Sequence, residues 1–144
     1  MLKRINRWLL VFLFISLLTS CTLIDENNDT YTTKEEVASY LRSHGELPSN
    51  YITKQEARDL GWIESKGNLW EVTDQKSIGG DRFGNFEGLL PKKEGRIYFE
   101  ADIDYQGGYR NAKRLVFSSD GLIFYTDDHY ESFVEYDKET RTWK

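Results

Sequence analysis

The sequence predicts an α+β fold, with short helices first and an antiparallel sheet after them. Three observations carry this. Two helix-capping boxes open helical periods in the first half of the folded region. From Ser77 onward the apolar period changes to two. Most of the aromatic residues, 15% of the chain, fall in the second half, where a β-rich core would need them.

The 144 residues suffice for one domain with a real core, and the first of them lie outside it. Lys3, Arg4 and Arg7 give a positive start. An apolar stretch from Trp8 to Leu18 follows, interrupted by Ser16, and then Thr19, Ser20 and Cys21. The order of charge, short apolar run and small residues is that of an export signal. Leu18-Thr19-Ser20-Cys21 resembles a bacterial lipobox, in which Cys21 becomes the lipidated first residue and attaches the protein to the outer side of the membrane. The alternative is an ordinary cleaved signal with an incidental cysteine and a secreted, extracellular product. Cys21 is the single cysteine, so the domain has no internal disulfide and relies on its core. Loss of residues 1–21 removes three basic residues. It leaves 16 Lys and Arg against 24 Asp and Glu, a formal charge of −8.

Residues 22–32 are polar and aperiodic and read as a tether. Thr33-Lys34-Glu35-Glu36 is a capping box, with Val37, Tyr40 and Leu41 at helical spacing and Gly45 as a left-handed stop. His44, in the last turn, suits the helix dipole. Thr53-Lys54-Gln55-Glu56 is a second box, with Ala57 and Leu60 expected inward and Gly61 as the stop. A third short helix is expected near Asn68 to Val72. In the strand Arg96 to Ile103, the residues Ile97, Phe99, Ala101 and Ile103 face one way and Tyr98, Glu100 and Asp102 the other. Lys113–Ser118 and Leu122–Thr126 form a hairpin through Ser118-Ser119-Asp120-Gly121, and Tyr130 to Tyr136 makes a further strand. The folded domain is thus expected over 33–137, with 138–144 as a tail.

Several chemistries are set aside. Asp102-Ile103-Asp104-Tyr105-Gln106-Gly107 begins like a calcium loop, but its twelfth position is Lys113 where a Glu is needed. Two histidines without HExxH spacing do not make a zinc site. Ile78-Gly79-Gly80-Asp81 lacks the following Gly-Lys-Ser/Thr and reads as a turn, not a phosphate loop. What remains is a polar sheet face with Glu100 mid-strand and Arg110 and Arg114 beside it. That pattern fits a structural ion-pair network or an acid–base site. His129, in the turn Asp127-Asp128-His129-Tyr130, suits the second reading, because a histidine facing a carboxylate and two guanidiniums can do acid–base work on a phosphodiester.

From about Val37 to Tyr136 the chain resembles the barnase-like family, the small guanyl-preferring bacterial ribonucleases. The telling stretches are Leu47-Pro48-Ser49-Asn50-Tyr51-Ile52-Thr53-Lys54, Leu60-Gly61-Trp62, Ser65-Lys66-Gly67-Asn68-Leu69, Lys76-Ser77-Ile78-Gly79-Gly80-Asp81, Glu100-Ala101-Asp102-Ile103 and Thr126-Asp127-Asp128-His129-Tyr130. The resemblance implies an endonuclease that cuts single-stranded RNA by transesterification to a 2′,3′-cyclic phosphate and then hydrolyses it to a 3′-phosphate. It implies Glu100 as general base and His129 as general acid. Lys54, Arg110 and Arg114 fall on the phosphate-holding cations, with Tyr130 beside them. Phe83, Asn85, Phe86 and Glu87 fall in the guanine-recognition loop, where the Glu87 carboxylate would accept from the base. The family uses no metal or other cofactor, and a barstar-like protein inhibitor is a partner by analogy. A monomer is expected.

Two departures stand out. Gly84 and Phe86 replace a serine and an arginine usual in barnase, which removes a cation from the cleft mouth. The acidic body is the second, since barnase itself is basic. The competing readings on the same fold are a non-catalytic exported binding module, whose signature would be loss of Glu100 or His129, and a contact-delivered toxin using the same chemistry.

Overall fold

The computed structural model describes residues 30–144. The lipobox-like Cys21, the export signal and most of the tether lie outside the described residues. Helix α1 (Lys34–His44) opens with the expected capping box. The Thr33 hydroxyl accepts from the Glu36 amide at 3.3 Å, and the Glu36 carboxylate accepts from the Thr33 amide at 3.0 Å. It closes at Gly45 in the left-handed conformation. His44 stays at the helix end, its Nδ1 3.1 Å from the Tyr40 carbonyl and its ring stacked on Tyr40. Strand β1 (Tyr51–Ile52) leads into α2 (Lys54–Asp59), which has the second capping box at Thr53 and Glu56. Each box is worth about 1 kcal/mol, a useful fraction of stability for helices this short. A 3₁₀ turn (Glu64–Lys66) and α3 (Leu69–Val72) follow.

The sheet has seven strands in sequential order: β1, β2 (Ser77–Phe83), β3 (Tyr98–Asp102), β4 (Arg114–Ser118), β5 (Ile123–Thr126), β6 (Val134–Asp137) and β7 (Thr142–Trp143). β1 runs parallel to β2, and every other neighbouring pair is antiparallel. The period of two decides which residues meet. Ala101, Leu115, Ile123 and Tyr125 face α1 and pack on Val37, Ala38 and Leu41. Tyr98, Val116 and Phe124 face the other way and pack on Leu90, Phe83, Tyr130 and Phe133. A separate cluster of Ala57, Trp62, Leu69, Ile78 and Tyr105 seats α2 and α3.

Five expectations change. Leu60 is 56% exposed, because α2 stops at Asp59 and Trp62 turns inward to fill the space instead. Ile78-Gly79-Gly80-Asp81 is strand, with a bulge between Gly79 and Asp81, and not a turn. The bulge requires its glycines. Gly80 has φ +100°, and a Cβ on Gly79 would lie 2.6 Å from the Tyr51 ring. The last long strand begins at Val134, not Tyr130. Left-handed backbone at His129 and Tyr130, with φ of 56° and 73°, delays it.

Both ends of the domain also extend further than expected. Residues 138–144 fold back as β7, where Trp143 packs against Tyr125 and Tyr136 of the α1-facing core. Lys34 lies over the Tyr125 and Trp143 rings at 4.5 and 5.3 Å. At the other end, Tyr31 and Thr32 of the tether are tied down. Asn50 donates to the Tyr31 carbonyl at 2.9 Å, and the Asp104 amide donates to that of Thr32 at 2.9 Å.

Candidate active site

Register places one polar row on the sheet face opposite α1. Asp81 pairs with Glu100, Asp102 with Arg114, and Arg114 with Thr126. Residues two apart on a strand share a face, so Glu100 and Asp102 stand together. Glu100 is buried. The Tyr130 hydroxyl donates to its Oε2 at 2.6 Å, and the Lys54 ammonium lies 3.4 Å from Oε1. Lys54 is the first residue of α2, and its amide donates to Asp81 Oδ2 at 3.0 Å. The second capping box therefore also aims a cation at the carboxylate.

Tyr130 holds its proton more tightly than an ordinary tyrosine. Burial is the main cause, and the hydrogen bond to the Glu100 carboxylate adds to it. It is therefore a donor that fixes Glu100 and not a competing base. Its ring stacks on Phe83 at 5.1 Å and leans on the His129 ring at 5.0 Å. His129 is exposed at the rim, where a base or acid can reach solvent and substrate. The turn that presents it is built by Asp128, which accepts from the Thr126 hydroxyl at 2.8 Å and the Ser132 amide at 2.9 Å. The Ser132 hydroxyl and amide, with Thr126, hold the Asp128 carboxyl down to about 2. Two consecutive non-glycine residues with positive φ are costly, of order 1 kcal/mol or more each, and this turn is held against that cost.

Arg110 and Arg114 take a different partner from the expected one. Both converge on Asp102, which is 2% exposed. Arg110 clasps it with two hydrogen bonds, Nε to Oδ2 at 2.8 Å and Nη2 to Oδ1 at 2.7 Å. Arg114 Nε lies 3.1 Å from Oδ1 as an ion pair without hydrogen-bond alignment. Burial opposes the charge on Arg110, but the bonds to Asp102 outweigh it, and its proton is held more tightly than usual. Arg114 also donates to the carbonyls of Asn111 at 2.6 Å and Lys113 at 2.8 Å. Of the two readings left open for this face, the ion-pair network is present. Asp102 is its centre, two residues from Glu100 on the same face of β3, and Glu64 adds a second ion pair to Arg110 at 3.2 Å.

The 83–87 loop is divided. Asn85 is buried with φ 50°, and its amide is used within the loop, donating to the Leu90 carbonyl at 3.0 Å and accepting from the Leu90 amide at 3.1 Å. Asn85 therefore shapes the loop. Glu87 is exposed, and Phe86 is 94% exposed. Sequence reasoning missed Asp102, Asp81 and Asp128 as organising residues. The signal for Asp102 was present, since it shares a face with Glu100 and lies opposite Arg114.

A family model described as ribonuclease matches residues 34–137. The chain belongs to the ribonuclease family. The ribonuclease of Heyndrickxia coagulans is 58% identical over 102 residues, which cover 71% of this chain and 94% of that one. The ribonuclease of Bacillus intermedius has the same identity over 102 residues, covering 71% of this chain and 63% of that one. The guanyl-specific ribonuclease St of Saccharopolyspora erythraea is 35% identical over 79 residues, covering 54% of this chain and 74% of that one. This ribonuclease thus combines helices at the N-terminal side with an antiparallel sheet whose polar face carries Glu100, Lys54, Tyr130 and the clasped arginines, with His129 at the rim.

Proposed function

We propose that the protein is an exported endoribonuclease that cleaves single-stranded RNA by transesterification. The observation that carries the reading is the buried Glu100 carboxylate, fixed by Tyr130 and Lys54, with His129 on the residue next to Tyr130. RNA supplies its own nucleophile. Glu100 takes the proton from the ribose 2′-hydroxyl, and O2′ bonds to phosphorus. The bond from phosphorus to O5′ breaks, and His129 gives its proton to that oxygen. Water then opens the 2′,3′-cyclic phosphate with the two roles exchanged, leaving a 3′-phosphate. Lys54 and the guanidiniums that Asp102 orients stabilise the charge that develops on the phosphoryl oxygens. No step calls for a metal.

Guanine is the base preferred 5′ to the cut, with Glu87 and the loop amides as its partners. The guanyl-specific relative supports this. Cys21 carries lipid and holds the enzyme on the outer side of a bacterial membrane, and a barstar-like inhibitor is the protein partner of the cleft. The test is incubation of the purified protein with RNA in excess chelator, followed by analysis of product ends. Cyclic and then 3′-phosphate ends are expected. Cleavage of DNA or dependence on added divalent metal would sink the mechanism. Comparing GpA, ApA and UpA tests the base preference, which equal rates would refute. If Cys21→Ser leaves localisation unchanged, the lipid anchor is wrong.

A further inference from the structure

Two sequence features are left over from the active site, the departures at Gly84 and Phe86, and they meet at one place. A cavity of about 700 Å³ lies past the ends of β2 and β3, between the 84–86 and 92–97 segments. Arg82, Lys92, Lys93 and Phe86 are among the residues that line it. The Phe86 ring lies against Gly84, where a Cβ would sit 2.2 Å from ring carbon Cε2. Glycine at 84 thus lets the ring fold back along the cavity wall, and a side chain there would push it out. Arg82, Lys92 and Lys93 are exposed, and none makes an ion pair among the described residues. By contrast, Arg96 in the same wall is tied to Asp120 by three hydrogen bonds.

Three unpaired cations around one cavity are notable on a chain of formal charge −5. A cationic rim and an exposed aromatic ring together are the elements that hold single-stranded nucleic acid, the cations taking phosphate and the ring stacking a base. We propose that this cavity is an RNA subsite for the nucleotide 5′ to the recognised base, with Arg82, Lys92 and Lys93 on its phosphate and Phe86 as the stacking surface. The polarity rests on the reading of the 83–87 loop as the base-recognition loop. Glu100 and His129 act on the 3′ side of the recognised nucleoside, and the cavity shares Phe83 and Asn85 with that loop and opens past the Phe83–Tyr98 pair, further along the strands than the Asp81–Glu100 pair, so it receives the chain running 5′. The arginine absent from position 86 is thereby replaced by a different binding mode, with cations supplied from Arg82 and the 92–93 pair.

The experiment measures kcat/KM of the full chain on GpA, on 5′-phosphorylated GpA and on ApGpA. For the unmodified protein, the 5′-phosphate should raise kcat/KM on the order of fivefold, the scale of two or three exposed cation–phosphate pairs. The gain should shrink as salt rises. The double substitution Arg82→Ala with Lys92→Ala should return the ratio to near one while leaving GpA cleavage unchanged. Phe86→Ala should remove the additional gain of ApGpA over phosphorylated GpA, roughly fivefold or more for one stacked base. No gain on 5′ extension, or a gain that survives the double substitution, would overturn the subsite. Equal cleavage of GpA and ApA would instead overturn the guanine reading and leave the extension ratio to be judged separately.

Discussion

At the residue scale, the site separates two kinds of carboxylate by their neighbours. Glu100 meets a neutral phenol and one ammonium at 3.4 Å, and so has an oxygen edge that a substrate hydroxyl can approach. Asp102, two residues on, is saturated by guanidinium groups and is 2% exposed. Replacing each should have different consequences. Glu100→Gln keeps the shape and the Tyr130 bond, so it should lower kcat roughly a hundred- to ten-thousand-fold while the urea midpoint stays near that of the parent. His129→Ala should cost at least as much, because His44 sits at the far end of α1 and is not placed to replace it. Asp102→Asn leaves the buried Arg114 without a counter-charge and Arg110 with only the exposed Glu64. It should cost stability on the order of 3–5 kcal/mol, seen as a lower urea midpoint. A stable Asp102→Asn protein would mean that the guanidiniums are better solvated than their burial indicates.

At the element scale, the capping boxes, the bulge and the turn after β5 each position one functional group. The Thr53 box sets Lys54, the Gly79–Gly80 bulge brings Asp81 opposite Glu100, and the Asp128 turn presents His129. The last strand has a different purpose. β7 brings Trp143 onto the core beside Tyr125, Tyr136 and Lys34. The Trp143 ring is half-buried, so Trp143→Ala should cost about 2 kcal/mol, below the range for a fully buried aromatic. Denaturant unfolding with activity measured alongside is the check. A neutral substitution would show β7 to be an appendage, and a loss of kcat without loss of stability would tie it to the site.

At the scale of the whole molecule, two charge effects are testable. The first concerns phenols. Tyr51, Tyr98, Tyr105, Tyr125 and Tyr130 all titrate above the ordinary value of 10, burial being the main cause for each. The folded state then holds these protons more tightly than the unfolded chain does. That contribution to stability is complete below pH 10 and is lost as pH climbs through the folded values. The urea midpoint should fall from about pH 10 upward, with the phenolate absorbance of these five appearing together with unfolding. Ionisation of more than the other four of the nine tyrosines in a still-folded protein near pH 10 would contradict the burial. The second concerns salt. An acidic body repels RNA at long range while the clasped arginines and Lys54 attract it at short range. The slope of log(kcat/KM) against log[salt] should therefore be shallower than for a basic relative. An equal or steeper slope would show that the local cations dominate.

The sequence by itself determined the α+β class, both capping boxes and the faces of β3. These follow from short-range rules: a hydroxyl three residues from a carboxylate, a period of two, a glycine where backbone turns left-handed. The resemblance to ribonucleases was carried by runs of residues and survived comparison over 34–137. Only the tertiary structure decided the partners. Both arginines could be assigned to the polar face, but whether they held Glu100 or Asp102 depended on side-chain reach across the sheet. Leu60 looked inward by spacing and lies outside because α2 ends too soon, while residues 138–144 looked like a tail and became β7. Those outcomes turn on competition between distant groups for the same buried space, and a pattern read along the chain does not contain that competition.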